Sequence, residues 1–218
     1  MTSPSSERLR SRLAGAPIDH PSRSSDHRAA VLLPLILEGE PRILGVWRAA
    51  GGAHGGQLGL PGGRIEAGDP DSFAAALRET REEVGLDGPV EWLGRLGEYN
   101  TVVSRFRVDV HLARLSRPGP WRLQDQEIAA ALEIPLARLL SIHADQPKVG
   151  TSWDLPIEVG FEFEPEPYLA GGSIPSRGVG HRRRGADGEV RHMPLIWGLT
   201  ARILYDFLRL VWIPAAGE

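Results

Sequence analysis

The sequence predicts an α/β protein, and three features of its 218 residues support that class. Two apolar runs of strand length, residues 29–37 and 42–48, flank a Gly-Glu-Pro turn. An amphipathic helix follows at 71–85, and two runs of alternating polarity at 90–99 and 106–115 are expected to form a β-hairpin. This order of strands and helices is compatible with helices packed on a shared sheet.

Composition and charge argue against several broad classes. The 25 Lys and Arg residues nearly balance 28 Asp and Glu, and the net charge of -3 disfavours a general binder of nucleic acid or membrane surfaces. The absence of cysteine removes disulfides and thiol chemistry. No apolar run approaches the roughly 20 residues that span a bilayer, and the first residues lack the apolar core of a secretory signal. We therefore expect a cytoplasmic protein, and the sequence leaves a homodimer open.

The first 27 residues mix Ser, Pro, Arg and His and contain one short helical candidate at 6–13. Leu9 and Leu13 share one face of that helix. We expect a tail that docks weakly on a main domain at 28–213, with a second short tail at 214–218. The runs 29–37 and 42–48 are then neighbouring strands of a buried sheet.

The helix at 71–85 has recognisable ends. Asp71 or Ser72 can cap its N-terminus, and Gly85 can end it. Between them, apolar residues recur at spacings of three and four, which is the period of an amphipathic helix. The segment is therefore a helix with one buried face.

Three carboxylates, those of Glu79, Glu82 and Glu83, fall within an arc of about 100° on this helix. They repel one another and lie near the C-terminal end, where the macrodipole disfavours anions. A hard cation such as Mg²⁺, which prefers oxygen ligands and keeps waters for phosphates to displace, would neutralise them. The alternative is a solvated acidic face on which Arg78 and Arg81 act as partial counter-charges.

A glycine-rich turn precedes the helix. Pro61-Gly62-Gly63, followed by Gly68, allows the backbone to approach a ligand closely. The carbonyl of Gly62 can then add an oxygen ligand to the carboxylate cluster. Turn and helix together favour a metal site over a solvated face.

The two segments GGRIEAGD and RETREEVGL together resemble the Nudix box, a glycine, five residues, Glu, seven residues and then REUxEExGU, where U is aliphatic. Asp69 stands in place of the first Glu, and the gap from Asp69 to Arg78 is one residue longer than in the general box. Both departures are similar to the coenzyme A diphosphatase branch of that family, whose box reads like GGxxDPxD followed by ALRExxEEVGL.

The upstream run HGGQLGLPGG, which begins at His54, is similar to the HxGQxxFPGG signature of the same branch. The RSxxLR run expected before the histidine fits poorly, because Arg48 is one place off and no Leu-Arg pair is present. The resemblance implies substrate binding by Arg48 and His54, with substrate choice altered within the branch. The alternative is that His54 is an ordinary surface-loop histidine.

Beyond the box, FRVDV resembles the family's GFRVTP segment, and QEIAAALEIPL resembles its NxxEVAxxFxVPL run. Glu127 in the second run is our candidate for a carboxylate brought to the metal or to the attacking water, although a Glu at a strand entry is usually solvated. A short helix is expected at 135–142 and a strand at 161–164.

The only basic cluster, Arg177, His181, Arg182, Arg183 and Arg184, lies in what we expect to be a Gly-flanked loop at 171–188. It is either a solvated loop or a site for a phosphate remote from the scissile bond, since arginine binds phosphate bidentately. A C-terminal helix follows from about 196 to 212, with an apolar face and an IWGLTARIL start that closely resembles the branch's closing IWGxTAxIL segment.

The resemblance implies a Nudix-type α/β/α sandwich with a mixed β-sheet, a compatible fold for the predicted elements. It also implies a diphosphatase that uses Mg²⁺ or Mn²⁺ to cleave coenzyme A or a related nucleoside diphosphate derivative. Another nucleotide, such as a nucleoside triphosphate or a dinucleotide sugar, and a non-catalytic nucleotide-binding module are the alternatives. Our candidate residues are Gly62, Glu79, Glu82 and Glu83 as metal ligands, Glu79 or Glu127 as base, Arg78 as the group that orients the carboxylates, and Arg48, His54, Arg182, Arg183 and Arg184 at the substrate.

Overall fold

The computed structural model describes residues 3–15, 18–19, 27–50, 54–101, 106–116, 119–144, 160–175, 180–184, 188 and 190–217, with only the backbone described at 19, 180–183, 191 and 192. The strands are β1 (Ile18–Asp19), β2 (Arg28–Ile36), β3 (Arg42–Arg48), β4 (Leu58–Gly59), β5 (Gly62–Arg64), β6 (Val90–Asn100), β7 (Arg107–Leu115), β8 (Ile128–Pro135), β9 (Phe161–Glu162), β10 (Leu169–Gly172), β11 (Gly180–Arg184) and β12 (Val190–Ile196). The helices are α1 (Ser6–Gly15), α2 (Ser72–Val84), α3 (Leu136–Ala144), α4 (Gly198–Asp206) and α5 (Ile213–Ala216), with a 3₁₀ turn at Glu166–Tyr168 and a π-helical segment at Phe207–Trp212.

Within the described ranges, nine strands form one mixed sheet in the order β1-β6-β7-β2-β3-β8-β10, with β4 paired to β3 and β5 paired to β2. The β1–β6 and β2–β7 pairs are parallel, and the other pairs of this sheet are antiparallel. The predicted neighbouring strands β2 and β3 and the predicted β6–β7 hairpin are both confirmed.

Helices cover both faces of the sheet, so the α/β/α sandwich is confirmed. Alternation along β2 divides its side chains between the faces, because successive residues of a strand point in opposite directions. Ala30 and Leu32 pack against α2, whereas Leu33 and Leu35 belong to the main core with residues of the C-terminal helices such as Phe207. None of the helices in the described ranges is long and apolar enough to cross a membrane.

The N-terminal helix is part of this core, and the expectation of a weakly docked tail is wrong for it. Leu9 is fully buried and Leu13 nearly so, both in the main apolar cluster. Ser6 and Arg10 add contacts to the Glu91 carboxylate at 3.0 and 2.7 Å. The sequence could show the apolar stripe of α1 but not that β6 would offer it a complementary surface.

The basic segment is also different from the expected loop. Gly180–Arg184 is strand β11 and pairs antiparallel with β12, which continues to β9 in a separate three-stranded sheet. A run of arginines between glycines has neither the alternation nor the apolar content that marks a strand, so the pairing was invisible in the sequence. Residues 171–188 are therefore not one continuous loop, and Arg177 lies outside the described residues.

Burial of α1 leads to a stability prediction. We expect Leu9→Ala to lower the free energy of unfolding by about 2–4 kcal/mol, because it leaves a cavity in a packed core. The matched control is Leu210→Ala, since Leu210 is 40% exposed and its truncation should cost much less. Urea unfolding followed by circular dichroism measures both, and an equal small effect of the two substitutions would contradict the packing of α1.

Candidate active site

The glycines of β5 allow this strand to lie close both to β2, with which it pairs, and to the carboxylates of α2. A Cβ on Gly62, whose φ is +145°, would lie 2.3 Å from the carbonyl oxygen of Ala30. A Cβ on Gly63 would lie 2.4 Å from the carboxyl carbon of Glu79. The two glycines therefore bring bare backbone against the carboxylates of α2, although they do so as a short strand rather than the expected turn.

Caps define the two ends of α2, and its buried face defines its orientation. The Asp71 carboxylate accepts a hydrogen bond from the Ala74 amide at 2.7 Å, and Gly85 adopts the left-handed conformation with φ 66°. Both predicted caps are thereby confirmed. The buried alanines of α2, Ala75 and Ala76, lie against β2, and this contact turns the glutamate-bearing side of the helix towards β5.

Glu83 is the most buried of the three carboxylates, with only 2% of its side chain exposed. One oxygen accepts a hydrogen bond from the Gly62 amide at 3.1 Å, and the other lies 2.9 Å from a guanidinium nitrogen of Arg48. Burial raises the pKa of Glu83 to about 7, with Arg48 and the Gly62 amide opposing the shift and Glu79 adding to it. Glu83 is therefore a buried acid whose charge is only partly compensated.

Glu79 and Glu82 share a different counter-charge. Nη1 of Arg78 lies 3.1 Å from an oxygen of each, and Arg78 also donates to the Arg64 carbonyl at 3.1 Å. Burial raises the pKa of Glu79, Arg78 opposes the rise, and the charges of Glu82 and Glu127 add to it. Glu82 is 57% exposed, so the three carboxylates lie on one side of the helix but at different depths.

Asp69 is a site residue whose role the sequence did not reveal. Its two oxygens accept hydrogen bonds from Nε and Nη2 of Arg78 at 3.0 and 3.1 Å, a bidentate pair that holds the guanidinium beside Glu79. The contact with Arg78 also lowers the pKa of Asp69. The position of Asp69 in the box was the only sequence feature that marked it. Its pairing with Arg78 depends on the conformation of the loop before α2.

The remaining candidates lie at varying distances from this centre. Glu127 is exposed, its carbonyl accepts from the Ala49 amide at 2.7 Å, and its charge is close enough to act on Glu79. His54 is exposed in the turn before β4. Arg184 is exposed and donates to the Gly188 carbonyl at 2.8 Å, whereas the side chains of Arg182 and Arg183 lie outside the described residues.

The donor set suits a hard divalent cation in its chemistry, since it consists of carboxylates and a backbone carbonyl. Burial raises the pKa of both Glu79 and Glu83, neighbouring carboxylates add to the rise, and a cation bound there would favour the charged forms. Within the described ranges, however, no three Asp, Glu or His side chains already form a group that could hold a metal. The Arg48 and Arg78 guanidinium groups are paired with the carboxylates instead, so binding requires some of these ion pairs to exchange.

Comparison with known proteins assigns the chain to a family. The family model described as the NUDIX domain matches residues 26–152, more than half of the chain, and the protein therefore belongs to the Nudix family. The matched range includes β2 to β8, and hence both β5 and α2. The family resemblance expected from the box is confirmed.

Among curated proteins, the chain is similar to the proteins named uncharacterized Nudix hydrolase NudL from Salmonella newport and Salmonella agona, at 35% identity over 120 residues. The matched region is 54% of this chain and 62% of each relative. Among solved structures, the NUDIX domain of Shewanella oneidensis NrtR complexed with ADP ribose has a TM-score of 0.44 at 20% identity, covering 55% of this chain and 79% of that one. An Ap4A hydrolase binary complex from C. elegans has a TM-score of 0.43 at 22% identity, covering 52% and 83%.

The burial of Glu83 predicts how metal-free stability depends on pH. Because its folded pKa of about 7 is above the ordinary 4.5, the folded protein binds more protons than the unfolded chain between these values. Ionisation of Glu83 should therefore lower stability as pH rises from about 4.5 to about 7, by on the order of 3 kcal/mol in total. We expect Glu83→Gln to remove this loss.

Unfolding free energies of wild type and Glu83→Gln, measured with EDTA present from pH 5 to pH 8, test the prediction. The difference between the two proteins should move in favour of the variant as pH rises. Glu82→Gln is the control, because it changes the net charge equally at an exposed position of the same helix. A difference that does not vary with pH would contradict the raised pKa of the buried Glu83 carboxyl group.

Proposed function

We propose that this protein is a metal-dependent hydrolase that cleaves the diphosphate linkage of a nucleoside diphosphate derivative, with coenzyme A as the first candidate substrate. The observation that carries the proposal is the pair of buried or half-buried carboxylates, Glu79 and Glu83, held against the bare backbone of Gly62 and Gly63. Family membership supports it, since Nudix hydrolases act on pyrophosphate bonds of nucleotide derivatives and generally use divalent metal ions.

In this proposal Glu79, Glu82, Glu83 and the Gly62 carbonyl hold Mg²⁺ or Mn²⁺. The bound ion would supply charge neutralisation on the phosphate oxygens and a lowered pKa for water. Burial keeps Glu83 against the glycine strand, and the exposure of Glu82 leaves it open to solvent and substrate. The site is therefore closed to solvent at Glu83 and open to solvent at Glu82, and this open end is its mouth.

The chemical step is in-line attack of water on one phosphorus. The water oxygen forms a bond to phosphorus, the bond from phosphorus to the bridging oxygen breaks, and the bridging oxygen leaves with the electron pair on the second phosphate. Glu79 is our candidate for the group that takes the proton of the water, because burial raises its pKa above the ordinary value and so makes it a stronger base. Glu127 is the alternative base, since its charge acts on Glu79 from the exposed side of the site.

The arginines have separate tasks in this scheme. Arg78, held by both oxygens of Asp69, orients Glu79 and Glu82. Arg48 stands at the end of β3 beside Gly62 and is our candidate for a phosphate contact, together with His54 in the following turn. Neither Arg48 nor His54 has to transfer a proton in this scheme.

Coenzyme A is favoured by the HGGQLGLPGG and IWGLTARIL resemblances, and these two segments are neighbours in the fold. A Cβ on Gly59 would lie 3.5 Å from the Thr200 hydroxyl, so the start of α4 packs on β4 next to the glycine strand. The 3′-phosphate of coenzyme A needs a cation of its own, and Arg182, Arg183 and Arg184 are our candidates for it.

A second nucleotide substrate, such as a nucleoside triphosphate or a dinucleotide sugar, is favoured by one specific observation. The upstream run lacks the Leu-Arg pair of the branch, and Arg48 is one place off. A non-catalytic binding module is disfavoured, because such a module gains nothing from a buried, incompletely neutralised carboxylate.

Catalysis by the carboxylates is tested with purified protein, Mg²⁺ or Mn²⁺, and a panel of coenzyme A, ADP-ribose, dinucleotides and nucleoside triphosphates. We expect Glu79→Gln and Glu83→Gln each to lower kcat by roughly a hundredfold or more, because each removes a charged group needed in the transition state. Near wild-type turnover by the double variant would eliminate the catalytic role of the cluster.

Gly63→Ala is a further test that leaves every carboxylate in the sequence. The added methyl group would lie about where the Glu79 carboxylate now is, so the side chain must move. Because the displaced group is the end of a flexible side chain, we expect the melting temperature to fall by only a few degrees while kcat falls at least tenfold. Unchanged kcat in Gly63→Ala would show that the position of Glu79 is unimportant.

Recognition of the 3′-phosphate is tested by comparing coenzyme A with its 3′-dephospho form. A charge-assisted hydrogen bond contributes about 1.5–3 kcal/mol, so wild type should prefer coenzyme A by roughly tenfold or more in kcat/KM. We expect the triple substitution of Arg182, Arg183 and Arg184 by Ala to abolish that preference. An equal preference in both proteins would refute the role of the arginines. If coenzyme A is not cleaved at all, it is excluded as the substrate, and a nucleoside triphosphate or a dinucleotide sugar becomes the first candidate.

A further inference from the structure

Arg48 lies between the two kinds of oxygen that the proposed metal would use. Its Nη1 is 2.9 Å from Oε1 of Glu83, and its Nη2 donates to the Gly62 carbonyl at 3.1 Å. The second oxygen of Glu83 accepts from the Gly62 amide. One guanidinium group therefore bridges the helix carboxylate and the strand carbonyl.

A guanidinium and a divalent cation would compete for these two oxygens. A cation held by both the Glu83 carboxylate and the Gly62 carbonyl would need space between them, and the two Arg48 nitrogens lie close to the same oxygens. The two positive charges would also repel each other at short range in a partly buried site, where screening by solvent is weak. Either the arginine or the cation can therefore neutralise Glu83, but not both in this geometry.

Arg78 does not have the same freedom. It is tied to Asp69 by a bidentate pair and to the Arg64 carbonyl, so it keeps these partners whatever happens at Glu79 and Glu82. Among the described residues, Glu83 is the carboxylate that pairs with Arg48. Displacement of Arg48 therefore breaks a single ion pair.

The position of Arg48 in the fold allows its side chain to leave without disturbing the strand. Arg48 is the last residue of β3, and its backbone is held independently, because its amide donates to the Gln57 carbonyl at 2.9 Å and its carbonyl accepts from the Gly56 amide at 3.1 Å. A quarter of its side chain is exposed. The side chain therefore already reaches solvent, and its movement breaks no backbone hydrogen bond of β3.

We propose that Arg48 is the resident counter-charge of Glu83 and that a divalent cation binds by displacing its guanidinium, a form of regulation of this site that rests on the proposed function. In the metal-free protein the arginine prevents Glu83 from remaining as an unpaired buried charge. Once displaced, the guanidinium is still tethered at the mouth of the site, where phosphate oxygens of a substrate provide new acceptors. Metal binding and phosphate recognition are coupled through one side chain.

The test is the affinity of the 218-residue chain for Mn²⁺ without substrate, measured by isothermal titration calorimetry at a fixed pH of 8. We expect Arg48→Gln to bind Mn²⁺ roughly tenfold or more tightly than wild type, because the competing charge has been removed. Its metal-free melting temperature should be lower than that of wild type. Arg42→Gln is the matched control, since Arg42 lies in the same strand and pairs with Glu133 at 3.1 Å, and its Mn²⁺ affinity should stay within twofold of wild type.

The outcomes separate this inference from the proposed function. Mn²⁺ binding to wild type with equal or weaker binding to Arg48→Gln would overturn the displacement while leaving the metal site intact. No Mn²⁺ binding by any of the proteins would overturn the metal site itself and the displacement with it.

A second measurement on wild type applies even if Arg48→Gln fails to fold. The Nε–Hε signal of Arg48, assigned by NMR, should shift as Mg²⁺ saturates the protein, because the guanidinium loses Glu83 and Gly62 as acceptors. The signal of Arg42 serves as the internal reference. An Arg48 signal that stays in place at saturation would overturn the displacement.

Discussion

The structure of the site depends on the contact between the Glu83 carboxylate and the backbone of Gly62. A carboxylate with 2% of its side chain exposed is costly to bury, and it is tolerated here because an amide and a guanidinium both face it. The contact requires β5 to pass directly under α2, which in turn requires glycine at both positions that meet the helix and β2. The hydrogen bond from the Gly62 amide to Glu83 therefore depends on the register of β5 in the sheet and on the orientation of α2, and it stabilises the charge of the site.

Two arginines complete the electrostatics in different ways. Arg78 is fixed by Asp69 within the box, so it acts as a permanent organiser of the half-buried Glu79 and the exposed Glu82. Arg48 comes from β3, outside the box helix, and contacts Glu83 through a single ion pair. The guanidinium groups of Arg48 and Arg78 together carry the same positive charge as one divalent metal ion. The two guanidinium groups therefore offset part of the repulsion among the three carboxylates.

The C-terminal part of the chain packs on the face of the sheet that lies opposite the site. The C-terminal helices fill the sheet face opposite α2, and α1 joins them in the same core. The start of α4 reaches β4 at Gly59, three residues before the glycine strand begins. A segment that is distant in sequence thus contacts the segment that leads into the site.

Local sequence determined the elements whose signals are local. Spacing and caps predicted α2, alternation predicted the β6–β7 hairpin, and the box predicted the family and three of the carboxylates. Burial depths of those carboxylates, the pairing of Arg48 with Glu83 and the strand at Gly180–Arg184 were decided only by the tertiary structure. The physical reason is that each depends on a partner supplied by another part of the chain: β5 for Glu83, β3 for its counter-charge, and β12 for a strand whose own residues show no strand pattern.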